Sequence, residues 1–428
     1  MLTTHRNISI PYDTGHIELD LPEVRLNGVL SVEHRDDGKR ESPEDIVRTA
    51  LANPIDSEPL HRLAAGKQRV VILTSDHTRS VPSALTLPLL LREIRRGNPD
   101  ADITIIVATG LHRGMTAEEM EQKFGAELCR RERIVNHDAF DRSQVVHLGV
   151  LPSGSKCEIN RLAADADLLI AEGFIEPHFL AGFSGGRKSI LPGIASQDCV
   201  NINHSARAVA HPDAATGVLD GNPIHEDMIQ AARFARLAFI LNVLLDDNKR
   251  VIAAYAGNVD TAHRAGCDLL LAQSGVDPIQ SDIVITSNGG YPLDQNLYQC
   301  PKGLDAALPN VNEDGVIILI AACRDGLGGE IFGSLMQEGT PRELLERIRG
   351  IPPEKTISEQ WSVQRFADAL IRHRIILVTS GLDRALVEKM NFIYADTVEA
   401  ALEKAEALKG ADAGITVIPD GVSVIVRR

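Results

Sequence analysis

Aromatic side chains are scarce in this chain: 4% of 428 residues, with a single tryptophan. That leaves too few rings for a surface on which bases stack. Clustered Lys and Arg are missing too, and the formal net charge is −15, so no nucleic-acid partner is expected. The six cysteines (Cys129, Cys157, Cys199, Cys267, Cys300 and Cys323) include no CxxC pair. Spread over this length they read as reduced thiols rather than a disulfide frame. No apolar stretch approaches the ~18 residues of a spanning helix, so no membrane span is expected. Residues 1–20 alternate polar and apolar and lack the basic start and apolar stretch of a secretory signal. The default compartment is therefore cytoplasmic.

What is present is ordinary in bulk and regular in pattern. Hydrophobic residues make up 44% and charged residues 24%, the balance of a globular protein. The length exceeds what one compact core accommodates, which predicts two domains. Asn7–Tyr12 and Ile17–Leu21 alternate with period two around Asp13-Thr14-Gly15, the pattern of a β-hairpin. Ser42, Pro43 and Asp45 mark a helix start, Thr116 with Glu119 a capping box, Gly125 a stop, and Asn222-Pro223 another start. Val70–Thr74, Ile103–Val107 and Leu168–Ala171 are β-branched-rich runs without alternation, as strands covered on both faces are. A second series comprises Ile283–Thr286, Val316–Ile320, Ile375–Val378 and Ile415–Ile418, with one intervening helix bracketed by Thr340-Pro341, Glu343 and Gly350. The helical stretch Thr261–Gln273 separates the two series, with no low-complexity linker and no internal repeat that aligns. The predicted fold class is α/β: two α/β domains with mainly parallel sheets, residues 1–275 and 276–428, and an active site in the cleft between them.

Short polar segments follow the predicted strands: Ser75-Asp76-His77-Thr78-Arg79, Thr109-Gly110-Leu111-His112-Arg113, and Glu176-Pro177-His178 leading to Ser184-Gly185-Gly186-Arg187-Lys188. Asn201-Ile202-Asn203-His204 and Gln299-Cys300-Pro301-Lys302-Gly303 complete the set. Loops at the carboxyl ends of parallel strands are where α/β proteins collect function. Arg79 offers a planar fork for a carboxylate, although an isolated Arg is more often a surface ion-pair partner. An imidazole in general titrates near neutral pH, so His112 and His178 are candidates for acid/base work, although a lone loop His is more often structural. Gly182–Ser189 approaches a phosphate-loop pattern, but Arg187 stands between the second glycine and Lys188 and breaks it. A lysine there can also form a covalent link. His204 suits a borderline metal such as nickel or zinc, or else caps a helix start; His211 and His225 fit no zinc spacing and read as structural.

In this order the motifs resemble the nickel-pincer lactate racemase family over nearly the whole chain, including the step of sixteen residues from Lys188 to His204. The resemblance implies a cofactor: a pyridinium mononucleotide whose two sulfur-containing arms hold a nickel ion that is also bonded to a ring carbon. It implies covalent attachment through Lys188, His204 as the nickel ligand, and His112 and His178 as paired acid/base groups. Arg79 and Lys302 match residues that hold substrate, and Asp76 and Gln299 match polar neighbours on the cofactor side. Tyr298 and Trp361 fall near aromatic positions of the family's substrate pocket. Enzymes that make the cofactor are implied as partners, and assembly into a homo-oligomer is left open.

The chemistry fits those roles. Removing the α-hydrogen of a 2-hydroxyacid as a proton, beside an ionised carboxylate, is difficult. Loss of hydride to an electrophilic ring, while a histidine takes the hydroxyl proton, gives a planar 2-oxo acid that can be reduced from its other face. The implied activity is racemisation or epimerisation of a 2-hydroxyacid, lactate by default. The alternatives are the same chemistry on a longer or more polar acid (malate, another 2-hydroxy dicarboxylate, an aldonate) and a non-catalytic protein that binds a phosphate ligand. A binder has no need of two opposed bases. A zinc hydrolase fits less well still, with one well-placed histidine and no carboxylate partner for it.

Overall fold

The computed structural model describes residues 4–32, 41–246 and 248–427. The chain opens with the predicted hairpin. β1 (His5–Tyr12) and β2 (Gly15–Pro22) pair antiparallel, with Ile8 opposite Leu19, about a turn in which Asp13 takes φ 50°. Ile8, Ile10, Leu19 and Leu21 are buried while Ser9, Glu18 and Asp20 between them face solvent, so one face of the hairpin needs cover. β3 (Leu26–Val29) follows.

Two six-stranded sheets form the body. The first contains β4 (Arg69–Ser75), β5 (Asp102–Ala108), β6 (Arg133–Asn136), β7 (Leu168–Phe174), β8 (Leu237–Leu245) and β9 (Val251–Gly257), in the order β9-β8-β7-β4-β5-β6. All neighbours are parallel except β8 and β9. The second contains β10 (Ser281–Ser287), β11 (Val311–Ile320), β12 (Arg374–Val378), β13 (Ile393–Ala395) and β14 (Ile415–Ile418), in the order β13-β12-β11-β10-β14-β3, and is wholly parallel. Every strand expected from the apolar runs is present, while β3, β6, β8, β9 and β13 had no counterpart among them.

Caps fix the helices. α1 (Pro43–Ala52) starts behind Ser42, whose hydroxyl accepts from the Asp45 N–H. α2 (Ala117–Phe124) carries the Thr116–Glu119 box and ends at Gly125, φ 90°. α3 (Gln197–Asn203) begins at a Ser196 cap and α4 (Pro223–Phe234) at an Asn222 cap. α5 (Thr261–Ser274) joins the two sheets, α6 (Pro341–Arg349) repeats the capping box with Thr340 and Glu343, and α7 (Gln360–Arg372) follows. No helix among the described residues is long and apolar enough to cross a membrane.

The first thirty residues lie with the second sheet rather than with the sheet that follows them in sequence. β3 pairs with β14, and the hairpin's buried face packs with Ile283, Ile285, Val316 and Ile318 in one apolar cluster. An edge strand needs a hydrogen-bonding neighbour and an apolar hairpin face needs cover; β14 and β10–β11 supply both. The chain end also returns, since Ile425–Val426 pairs with Gly275–Val276 at the junction.

Strand order positions the site. In the first sheet the chain runs from β4 outward through β5 and β6, then restarts on the other side with β7. The crevice between the carboxyl ends of β4 and β7 is thus a topological switch point, where α/β sheets bind ligands. The second sheet has its own between β10 and β14.

If the hairpin is part of the second core, Leu21→Ala should lower unfolding stability by about 2–5 kcal/mol. Urea unfolding followed by circular dichroism measures it; a loss of a few tenths would make the hairpin an ornament.

Candidate active site

One cavity of about 480 Å³ opens at these strand ends. The loop after β4 brings Asp76 and Arg79, that after β5 brings His112, and that after β7 brings Glu176, His178 and Lys188. His204, just past α3, forms a further wall. The second domain contributes Tyr298, Gln299 and Lys302 from the loop after β10, and Trp361 from the first turn of α7. All ten residues singled out from the sequence line this one space.

The two histidines are held in opposite ring states. His112 Nδ1 lies 2.7 Å from Asp76 Oδ2. Burial would raise the Asp76 carboxyl, but the hydrogen bond and charge of His112, the Thr78 hydroxyl and Arg79 together hold it well below the usual range. An ionised Asp76 only accepts, so His112 keeps its proton on Nδ1 and presents Nε2 as a base. His178 is the reverse. Its Nδ1 accepts the backbone N–H groups of Leu180 and Ala181, both at 3.2 Å, which places the proton of the neutral ring on Nε2. Burial first, then the charges of Lys188, Lys302, His204 and Arg79, drive its basicity far below that of a free imidazole.

Three cations face the same space. Arg79, Lys188 and Lys302 close no ion pair among the described residues, and Glu176 shares the cavity without completing one. Arg79 instead donates to the Thr78 carbonyl and hydroxyl. Lys188 opens onto the cavity yet is walled in by protein; burial, Arg187 and Arg79 push its ammonium pKa far down, against Glu176. Lys302 is lowered in the same sense by burial and Arg79. A site of this kind attracts anions, and a lysine so placed is a nucleophilic amine.

His204 ends α3 rather than starting a helix, and its Nδ1–H donates to the Val200 carbonyl at 3.2 Å. Nε2 is left for another partner. Burial and Lys188 lower its pKa to about 4, so the ring is neutral, as a metal ligand must be. Trp361 packs on it, ring centroids 5.1 Å apart, and the indole N–H donates to the Tyr298 hydroxyl at 3.0 Å. Burial pushes that phenol up to about 12.

Comparison with known proteins agrees with this assembly. Residues 12–217 match the lactate racemase N-terminal domain family, and residues 276–426 the lactate racemase C-terminal domain family. The chain belongs to the lactate racemase family. Lactate racemase from Thermoanaerobacterium thermosaccharolyticum is 49% identical over 423 residues, covering 99% of either chain. That from Lactiplantibacillus plantarum is 47% identical over 421 residues, covering 98% of this chain and 99% of its own. The apoprotein structure of the Thermoanaerobacterium lactate racemase superposes with a TM-score of 0.96, at 49% identity, covering 99% of this chain and all of that one. A Thermotoga maritima protein at 21% identity, with a TM-score of 0.67, covers 91% of this chain and shares the fold. The lactate racemase family is one of isomerases, and the two mainly parallel sheets are its architecture.

Three supporting residues were not legible beforehand. Lys123, from the end of α2, donates to the Arg79 carbonyl at 2.8 Å and steadies that loop; nothing in its surroundings in sequence signals this. Asn242 lies buried within the apolar strand β8 and accepts the Gly186 N–H at 2.7 Å. An amide inside such a run is a usable signal, because a buried polar group needs a partner. Arg187 had been read only as the residue that breaks a phosphate loop. It is the largest fully buried side chain among the described residues.

The single tryptophan offers a reporter. His204 is neutral above about pH 4 and charged below it, and an imidazolium against the indole quenches emission. Trp361 fluorescence should therefore fall in a step near that pH while far-ultraviolet circular dichroism stays constant, and His204→Ala should remove the step. Persistence of the step in His204→Ala would assign it to another group.

Proposed function

We propose that this chain interconverts the enantiomers of a short 2-hydroxyacid, lactate by default, using the nickel-pincer pyridinium mononucleotide bound covalently through Lys188. The observation that carries this reading is the meeting, in one cavity, of two histidines in opposite ring states with three cations that lack acid partners.

The residues present fit such a group. A cavity of about 480 Å³ far exceeds a three-carbon acid and is of the size that holds a drug-sized ligand. Among the described residues no cluster of three or more His, Cys, Asp or Glu stands ready for a metal. A metal here would therefore have to bring most of its own ligands, with His204 Nε2 adding one from the protein. Lys188 offers the amine for attachment, and Asp76 and Gln299 line the same cavity. When bound, the group supplies the electrophile that takes hydride from the substrate's α-carbon and returns it.

The chain's residues do the rest. Arg79 grips the substrate carboxylate in two parallel hydrogen bonds, with Lys302 adding charge. His112 Nε2 takes the hydroxyl proton, and Asp76 steadies the imidazolium that results. His178 Nε2–H faces the oxygen of the planar 2-oxo acid as a donor. The opposite enantiomer presents its hydroxyl on the other side, toward His178, which can take that proton only with its own ring proton moved to Nδ1 and the Leu180 and Ala181 N–H contacts released. Tyr298 and Trp361 close the wall around His204 and would keep water from the substrate's α-carbon. We further infer a reducing, cytoplasmic setting, supported by six unpaired cysteines, five of them buried, and separate enzymes that deliver the cofactor.

The decisive experiment uses protein purified with an adduct on Lys188, verified by intact mass, and lactate deuterated at the α-carbon. Hydride return predicts racemisation with the label retained; loss of deuterium to solvent would point to proton abstraction and end this reading. Asp76→Asn should lower kcat by about 10²–10⁴-fold, because His112 is no longer held with its proton on Nδ1. An unchanged kcat would remove His112 from its role as base.

A further inference from the structure

Arg187 occupies an unusual place. Its guanidinium is wholly buried and has no carboxylate partner among the described residues. Nη2 donates to the Ala181 carbonyl at 2.6 Å, and Nη1 to those of Phe183, Ser184 and Gly185 at 2.8, 3.4 and 3.3 Å. Nε donates to His225 Nδ1 at 3.0 Å, and His263 Nε2 stands 3.1 Å from Nη1 and 2.8 Å from the Ser184 carbonyl. The backbone from Ala181 to Gly185 is thus wrapped around one side chain.

The two ends of that wrap lead directly to the site. The Ala181 peptide gives its N–H to His178 Nδ1 while its carbonyl accepts from Arg187. The Gly185 carbonyl accepts from Arg187 and also, at 3.1 Å, from the Lys188 N–H. Tight wrapping explains the glycines: Gly185 and Gly186 take φ 78° and 53°, and a Cβ on Gly186 would stand 2.9 Å from the His263 ring. We propose that Arg187 is a positioning residue that sets the spacing and orientation of His178 relative to Lys188. A lysine there could not replace it, having three donors on a point charge where five planar donors meet four carbonyls and the His225 Nδ1. The inference rests on the proposed role of Lys188 in holding the cofactor.

The charge that remains beside Lys188 gives a readout independent of turnover. Burial first, then Arg187, Arg79 and Lys302, oppose its protonation, Glu176 favours it, and His178 and His204 border it. In folded apoprotein, the pH dependence of Lys188 acetylation by acetic anhydride, read by peptide mass, reports both its charge and its setting. Arg187→Met should raise the midpoint by about one pH unit or more. Arg187→Lys, which keeps the charge, should retain a low midpoint, yet in cofactor-bearing enzyme kcat should fall on the order of 10²-fold with KM within about threefold. Should these variants not fold, His225→Ala removes one acceptor and should lower kcat in the same pattern, with His225→Asn, which returns an oxygen near the Nδ1 position, restoring it. Wild-type kcat in folded Arg187→Lys, or in His225→Ala, overturns the proposal. If the wild type itself carries no adduct and racemises nothing, the functional reading fails instead, and a midpoint unmoved by Arg187→Met then overturns the Arg187 proposal in its turn.

Discussion

Three basic side chains without carboxylate partners among the described residues, in a cavity walled by protein, are the constraint around which the rest is arranged. Moving a charge out of water is unfavourable by several kcal/mol unless something replaces the solvent, and like charges a few ångströms apart add to it. Arg79, Lys188 and Lys302 are held there by elements that gain their stability elsewhere: parallel strands buried on both faces, closed helices, and a loop wound about Arg187. The surrounding fold bears the strain, and anionic ligands relieve it when they arrive.

The same field organises the histidines. Burial first, with nearby cations adding to it, keeps His178 and His204 neutral, the form in which an imidazole can donate from Nε2 or ligate a metal. His112, more exposed and tied to Asp76, escapes to the rim with the tautomer opposite to that of His178. One electrostatic environment therefore produces three differently prepared rings, distinguished by which backbone or carboxylate group engages Nδ1. The binding and acid/base duties separate along this line: cations for the carboxylate, rings for protons, a buried amine and a neutral imidazole for the cofactor.

Much of this was readable in the chain. Asp76, Arg79, His112, His178, Lys188 and His204 stood out because each follows a β-branched run or a helix in a glycine-flanked polar segment, the signature of a loop at a strand end. Tyr298 and Trp361 entered by resemblance alone, since an aromatic residue at helical spacing carries no local sign of facing a ligand. Lys123 stayed hidden because its role is a contact with the Arg79 carbonyl, 44 positions away, which no local pattern encodes. Arg187 looked like a flaw in a phosphate loop because its partners are main-chain carbonyls, which every residue has.

The sequence by itself determined the central strands, the helix caps and the ordered motif set, because propensity, periodicity and capping act over a few residues. Only the tertiary structure decided that the first thirty residues complete the second sheet, that loops from both domains line one cavity, and which nitrogen of each histidine is free. Those outcomes depend on hydrogen-bond partners and apolar faces far apart in the chain, and no local pattern specifies which of them will meet.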